Sequence, residues 1–193
     1  MWQVLNPKIR LWIVVVPSVA VFLAFWYWAE QPLIRSISYT VTTLALMAWL
    51  MGKYVWKLIY FDWLKQNICP DFNGKWQGKI SSNYNGGTEV TFPIEIEADF
   101  FSIKMKANTT VGRTYADYCR VVRTKDSKFE LLYMFEGHNT KQTETDTSFY
   151  DGAARVLVED IKTMSMSGLF WTNRCWNKGD NTAGRIAFEK LEA

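Results

Sequence analysis

Residue types that perform covalent catalysis are sparse in this sequence of 193 residues. His138 is the single histidine and lies in a polar segment, where a solvated loop position is the simplest interpretation. Glu95 and Glu97 share one face of a predicted strand, which is typical of a solvated sheet surface rather than of an acid–base pair. Because no phosphate-binding loop or zinc-protease motif is present either, we expect a protein that is not an enzyme and uses no cofactor.

The cysteines and the charge exclude further classes. Cys69, Cys119 and Cys175 are widely spaced without a Cys-x-x-Cys pair, so they predict reduced structural thiols in a cytoplasmic domain. The net charge of +3 comes entirely from residues 1–71, whereas the remainder is formally neutral. Since a domain that binds long nucleic acids is usually basic, no such partner is expected.

Non-covalent binding is the chemistry that the remaining residues suit. Trp76 and Gly78 share one face of a predicted strand, and Gly168 and Thr172 share a face of another, which leads to Arg174. Glycine within a strand opens space for a ligand, aromatic rings stack on bases, and arginine offers a planar fork to phosphate. The same pattern is also compatible with a packed core containing structural glycines.

Short strands must position these residues, and they begin after Asp71. Apolar residues alternate with acids over residues 90–99 and with lysines over 101–107, so the two strands can pair across a ladder. Turns are predicted at 85–87 and 125–127, and a polar loop at 137–148. The predicted strands are residues 75–82, 90–99, 101–107, 113–123, 129–136, 149–159, 163–173 and 183–190.

About eight strands with one apolar face each, and no helix to cover sheet edges, predict a small antiparallel β-barrel over residues 72–193. The interior of an eight-stranded barrel can hold one small ligand. An OB-type barrel and an open sandwich are the alternative architectures. The fold class is therefore membrane-anchored all-β, because a different kind of segment precedes the barrel.

Residues 1–65 predict a two-helix membrane hairpin. Residues 11–29 carry no charge and reach about 28 Å as a helix, close to the hydrocarbon thickness of a bilayer. A second apolar segment follows at 36–52, and its helix is expected to continue through 60–64 as an amphipathic stretch. A signal peptide is disfavoured because the first segment is long and ends in bulky aromatic residues.

Positive charges flank the hairpin asymmetrically. Lys8 and Arg10 precede the first span and three lysines follow the second, whereas the connecting turn contains only Arg35. The positive-inside rule therefore predicts that both termini and the β domain are cytoplasmic. Neither apolar segment contains a charged residue, which argues against a transport path within one hairpin.

The order of these features resembles a known family. After the hairpin come residues 74–78 (Gly-Lys-Trp-Gln-Gly), 92–96 (Phe-Pro-Ile-Glu-Ile), 152–154 (Gly-Ala-Ala), 168–174 (Gly-Leu-Phe-Trp-Thr-Asn-Arg) and 184–186 (Gly-Arg-Ile). This series is similar to the two-transmembrane, β-strand-rich effectors associated with SMODS-type nucleotidyltransferases in bacterial CBASS anti-phage defence. The resemblance extends over nearly the whole chain.

The resemblance implies a multi-pass, non-enzymatic effector of the bacterial inner membrane. A partner nucleotidyltransferase would make a cyclic di- or trinucleotide, the barrel would bind it, and the protein would self-associate and disrupt the lipid bilayer. The candidate ligand-binding residues, chosen for their chemistry and expected placement, are Trp76, Arg113, Tyr115, Arg120, Tyr133, Thr172 and Arg174.

Two other functions fit a tethered barrel. A lipocalin-like carrier of an apolar ligand would have an apolar interior without arginines matched to phosphate. A structural barrel that binds a partner protein would have a filled core.

Overall fold

The computed structural model describes residues 1–83, 87–109, 112–140, 147–179 and 181–191. The chain forms two compact units. The first comprises Met1–Phe61 with Asp99–Phe101, and the second comprises Asp62–Ala98 with Ser102–Ala193.

Two long helical segments make up most of the first unit. Helix α1 spans Pro7–Leu23, and its N-cap Asn6 accepts a hydrogen bond from the backbone N–H of Lys8 at 2.9 Å. A π-helical turn at Ala24–Trp28 extends α1. Helix α2 spans Leu33–Leu50 and continues through a π-helical turn at Met51–Val55 into α3 at Trp56–Ile59.

Both segments are long and apolar enough to cross a membrane, at 22 residues for Pro7–Trp28 and 27 for Leu33–Ile59. Their large apolar side chains are exposed along the helices, whereas Ser36 and Thr40 of α2 are buried. The Thr40 hydroxyl donates to the Ser36 carbonyl at 2.7 Å, which satisfies that buried polar group. Because so much apolar surface is unfavourable in water, these helices support membrane association.

The sequence predicts that the second helix continues through residues 60–64. In the structure, the helix is interrupted there. Helix α3 ends at Ile59, and Tyr60 leaves the helical conformation with φ −88° and ψ 66°. A separate short helix, α4, then spans Asp62–Asn67 in the second unit.

The second unit is a closed barrel of eight antiparallel strands in sequence order, because β1 pairs with both β2 and β8. This closure confirms the predicted barrel and excludes an open sandwich. The strands are β1 Gly74–Ser82, β2 Thr88–Ala98, β3 Ile103–Asn108, β4 Gly112–Arg123, β5 Phe129–Asn139, β6 Phe149–Asp160, β7 Ser165–Thr172 and β8 Ala183–Lys190.

Side chains fill the end of the barrel at which β1 begins. Trp76 is fully buried, and its indole N–H donates to the Phe72 carbonyl at 2.9 Å. Phe129, Leu131 and Phe188 are buried in the same core. The alternation that predicted one apolar face per strand therefore corresponds to the barrel interior.

One strand departs from regular alternation. The register of β4 against β5 shifts between Tyr115 and Tyr118, which marks a β-bulge. Arg113 and Tyr115 are exposed before the bulge, and Tyr118 and Arg120 are exposed after it. All four side chains therefore lie on the outer face of the barrel.

Of the predicted connections between strands, one turn is confirmed and one loop was predicted to begin too early. The turn at 125–127 is confirmed, with the Thr124 N–H donating to the Lys128 carbonyl at 2.8 Å. The loop at 137–148 was placed too early, because β5 continues through Asn139. Residues 141–146 of that loop, and Asn85 and Gly86 of the predicted turn at 85–87, lie outside the described residues.

We expect residues 69–193 to fold without the membrane segment, with a β-type circular dichroism spectrum and one cooperative unfolding transition. A fragment of residues 72–193 should be less stable by about 1–3 kcal/mol, because it lacks Asp71 and the buried residues Cys69 and Pro70. The Lys190 ammonium donates to the Asp71 carbonyl at 2.8 Å and lies 3.8 Å from its carboxylate. Urea unfolding of both fragments, with Lys190→Met in the longer one as control, measures this difference. A predominantly helical spectrum would contradict the prediction.

Candidate functional site

The barrel is open at the end opposite the Trp76 core and encloses a cavity of about 370 Å³. This volume lies within the range of small-molecule sites in proteins. Most of the cavity wall is apolar, with aromatic rings such as Phe92 and Phe170. Hydroxyl groups come from Ser82, Thr88, Thr109, Thr114, Tyr133, Tyr150, Thr172 and Thr182. A flat aromatic ligand with several polar edges suits such a cavity.

Two glycines make room for the aromatic rings that line the cavity. The Tyr150 ring occupies the space that a Cβ atom at Gly137 would take, and the Phe135 ring does the same at Gly152. Both rings therefore lie closer to the neighbouring strand than a larger residue would permit. Substituting either glycine would push a ring toward the cavity.

Arg174 is held beside the cavity by its neighbours. The Thr172 and Thr182 hydroxyl oxygens are 2.6 Å apart and share a hydrogen bond, and the Arg174 backbone N–H donates to the Thr172 hydroxyl at 3.2 Å. The Arg174 guanidinium carbon lies 5.4 Å from the centroid of the Tyr150 ring, a cation–π distance. Of the described residues that line the cavity, only Arg174 carries a charge.

Tyr133 contributes a buried phenol to the cavity wall. Burial in the barrel raises the pKa of Tyr133 well above its usual range, with a smaller contribution from Cys119. The hydroxyl is therefore protonated at neutral pH and can donate a hydrogen bond to a ligand. Burial also raises the pKa of the Cys119 thiol to about 12, so this cysteine is not a nucleophile at neutral pH.

The structure brings three of the seven candidate residues together at the cavity: Tyr133, Thr172 and Arg174. Trp76 belongs to the filled end of the barrel and does not line the cavity. Arg113, Tyr115 and Arg120 lie on the outer face of β4. No ligand contact is established for any of the seven, and their roles in binding remain predictions.

The β4 bulge explains why Arg113 and Arg120 both face outward. Arg113 and Arg120 are seven positions apart, so strict alternation would have turned one of them into the barrel. The extra residue at the bulge reverses the alternation between them.

Sequence reasoning did not identify Tyr150 and Thr182 as site residues. Tyr150 begins the alternation that continues through Gly152 and Ala154, which could have placed it inside. Thr182 precedes β8 and is placed by the Thr172 N–H, which donates to its carbonyl at 2.8 Å. No local pattern in the sequence indicates that Thr182 lines the cavity.

Together, the closed barrel, its cavity and the adjacent cation define a receptor-type barrel, which follows two candidate membrane helices in the chain. Residues 67–190 match the family described as Cap15, cyclic dinucleotide receptor domain. CD-NTase-associated protein 15 of Escherichia albertii is 58% identical over 190 residues, which cover 98% of each chain. The chain therefore belongs to the Cap15 family, and the resemblance to CBASS membrane effectors is confirmed.

We expect Trp76 to stabilise the barrel rather than to contact the ligand. Trp76→Ala should lower the free energy of unfolding by about 3–5 kcal/mol, because it leaves a large cavity in the core. Tyr115→Ala, at an exposed aromatic residue, should change it by less than about 0.5 kcal/mol. Urea unfolding of the residue 69–193 fragment checks both values. Unchanged stability together with lost ligand binding in Trp76→Ala would instead make Trp76 a ligand contact.

Proposed function

We propose that this protein is a CBASS effector that binds a cyclic dinucleotide in the barrel cavity and then self-associates and disrupts the inner membrane. The single observation that carries the ligand proposal is the placement of Arg174 beside an aromatic-lined cavity that has polar hydroxyls. The match to a cyclic dinucleotide receptor domain supports the same ligand class. The name of the relative supports a functional partnership with a nucleotidyltransferase.

One base of the ligand enters the cavity in this proposal. Phe170 and Tyr150 offer rings for stacking, and the hydroxyls of Tyr133 and Thr172 can hydrogen-bond to base edges. The Arg174 guanidinium then reaches a phosphate with two parallel hydrogen bonds. A cyclic dinucleotide also has a second phosphate and a second base. In this proposal, both extend from the cavity toward its open end.

The same site supports binding without turnover. Among the described residues that line the cavity, there is no carboxylate, histidine or cysteine to act as a base or nucleophile. Arginine and hydroxyl groups that hold a phosphodiester without attacking it suit a receptor, whose output is a change of state rather than a product.

The membrane part of the proposal is supported by the hairpin. Two helices cannot enclose an aqueous pore, so disruption requires several hairpins together or a large deformation of the bilayer. Ser38, Thr42 and Ala45 are exposed on one side of α2 and are small enough for another helix to pack closely. Ligand binding would drive assembly only if the ligand binds the assembling state more tightly than the resting state. Cytoplasmic termini would expose the cavity to a ligand made in the cytosol.

We expect Arg174→Ala to weaken binding roughly ten- to a hundredfold, because one charge-assisted phosphate contact is lost. Arg174→Lys should have an intermediate affinity, since it keeps the charge but not the planar fork. The measurement is isothermal titration of detergent-solubilised protein with cyclic di-AMP, cyclic di-GMP and cyclic di-UMP, using the tightest binder for the variants.

The matched control is the double variant Arg113→Ala and Arg120→Ala on the outer face, which should keep its affinity. Loss of binding in this control with no change in Arg174→Ala would move the site outside the barrel. Palmitate serves as an apolar probe. Binding of palmitate but of no cyclic dinucleotide would favour a lipocalin-like carrier.

We expect membrane damage to require both the ligand and the native hairpin. When the protein is induced with a matched nucleotidyltransferase, dye should enter cells that carry the intact chain. Dye should not enter cells that carry residues 72–193 alone, the barrel on an unrelated two-helix anchor, or the intact chain with Arg174→Ala. Equal dye entry with the unrelated anchor would refute a sequence-specific role of the hairpin. Equal entry with the soluble barrel would refute the membrane mechanism.

A further inference from the structure

The outer surface of the barrel differs sharply between its two sides. On β1, β2 and β3, every outward position is exposed and carries a polar residue or proline. On β4 to β7, by contrast, six large apolar side chains are exposed. They are Tyr115 at 45%, Tyr118 at 67%, Met134 at 57%, Phe149 at 72%, Leu169 at 59% and Trp171 at 52% exposure. Soluble surfaces rarely concentrate such residues on one side without a binding partner.

Strand register places three of these residues in one line. Tyr118 pairs with Met134, Met134 with Ala153, and Ala153 with Trp171. These four residues form what we call the apolar row. At about 4.8 Å between strands, the row extends about 14 Å across the barrel wall.

Charged rows of opposite sign flank the apolar row, each displaced from it by two residues along the strands. On one side, register joins Tyr115, Glu136 and Asp151 in the acidic row. On the other side, register joins Arg120, Leu132, Arg155, Leu169 and Arg185 in the basic row.

One cation of the basic row already has a partner within the chain. The Arg155 guanidinium makes two hydrogen bonds to the Glu130 carboxylate, at 2.7 and 3.1 Å. The excess positive charge of the row therefore comes from Arg120 and Arg185.

We propose that this wall pairs two copies of the chain about a two-fold axis that runs along the apolar row. Such an axis places the apolar row of one copy on the apolar row of the other. It also exchanges the two flanking rows. Asp151 then faces Arg155 of the second copy directly, and Glu136 lies one strand, about 4.8 Å, to the side of Arg120 of the second copy. A two-fold interface must be self-complementary, and acidic, apolar and basic rows in that order satisfy this requirement.

A second copy fits the wall better than a lipid surface does. Anionic head groups would attract the basic row, but they would repel Glu136 and Asp151 on the other side of the same apolar row. Confinement to a membrane also raises the effective concentration of one copy for another. This pairing does not depend on ligand binding, so it extends beyond the proposed function.

The first test uses Met134→Cys in the full-length protein in native membranes, without any added nucleotide. Because Met134 lies on the proposed axis, cysteines from two copies should face each other and give a dimer with a short bis-maleimide. The matched control is Thr91→Cys, at an exposed outward position of β2, which should remain monomeric. The parent chain sets the background, since its cysteines are buried. Equal dimer yields from both variants would overturn the proposal, whatever the outcome of the ligand experiments.

The second test exchanges charges in the Met134→Cys protein. Arg120→Glu alone and Glu136→Arg alone should each lower the dimer yield roughly tenfold, because every contact occurs twice in a two-fold pair. The double variant should recover the dimer yield, because the exchanged charges again attract each other between the two copies. Within one chain, the two rows are about 13 Å apart along the strands, so recovery cannot come from a pair in the same barrel. Unchanged yields in the single variants, or no recovery in the double variant, would overturn the proposal.

Discussion

The pairing of β1 with β8 is the interaction on which the rest of the structure depends. It joins the first and last strands of the second unit over seven residue pairs and leaves no strand of the barrel as a free edge. Closure gives the interior a fixed circumference, so side-chain size alone decides which parts are filled. Trp76 and Phe129 fill one end, whereas at the other end the Tyr150 and Phe135 rings pack against Gly137 and Gly152 and so leave the middle of the barrel open. A cavity with one open end is the direct consequence.

The cavity acquires its chemistry from a small polar cluster where β7 ends. Thr172 and Thr182 satisfy each other by a shared hydrogen bond, and the Thr172 hydroxyl also accepts from the Arg174 N–H. These contacts fix the backbone from which the guanidinium extends, and the Tyr150 ring supports its side chain. A cation fixed before the ligand arrives loses less conformational entropy on binding, which favours tight recognition of phosphate.

The bulge in β4 connects the inside of the barrel with its outside. One additional residue turns Tyr118 and Arg120 outward, where strict alternation from Arg113 would have turned Arg120 inward. The cavity therefore lacks a second arginine from this strand, and the outer wall gains the first members of its apolar and basic rows. If two copies meet on this wall, as we propose, the same irregularity shapes both the ligand site and the contact between copies.

The sequence by itself determined the elements: two apolar helices, about eight strands, and the acidic and lysine faces of β2 and β3. It could do so because length, hydropathy and alternation are local properties of the chain. It also indicated a receptor for a cyclic nucleotide, through the order of short motifs. Tertiary structure alone decided that Tyr133, Thr172 and Arg174 meet at one cavity, while Trp76 is part of the core and Arg113 lies outside. Those outcomes depend on strand register and on one bulge, which arise from pairing between distant segments and leave no periodic signal in the sequence.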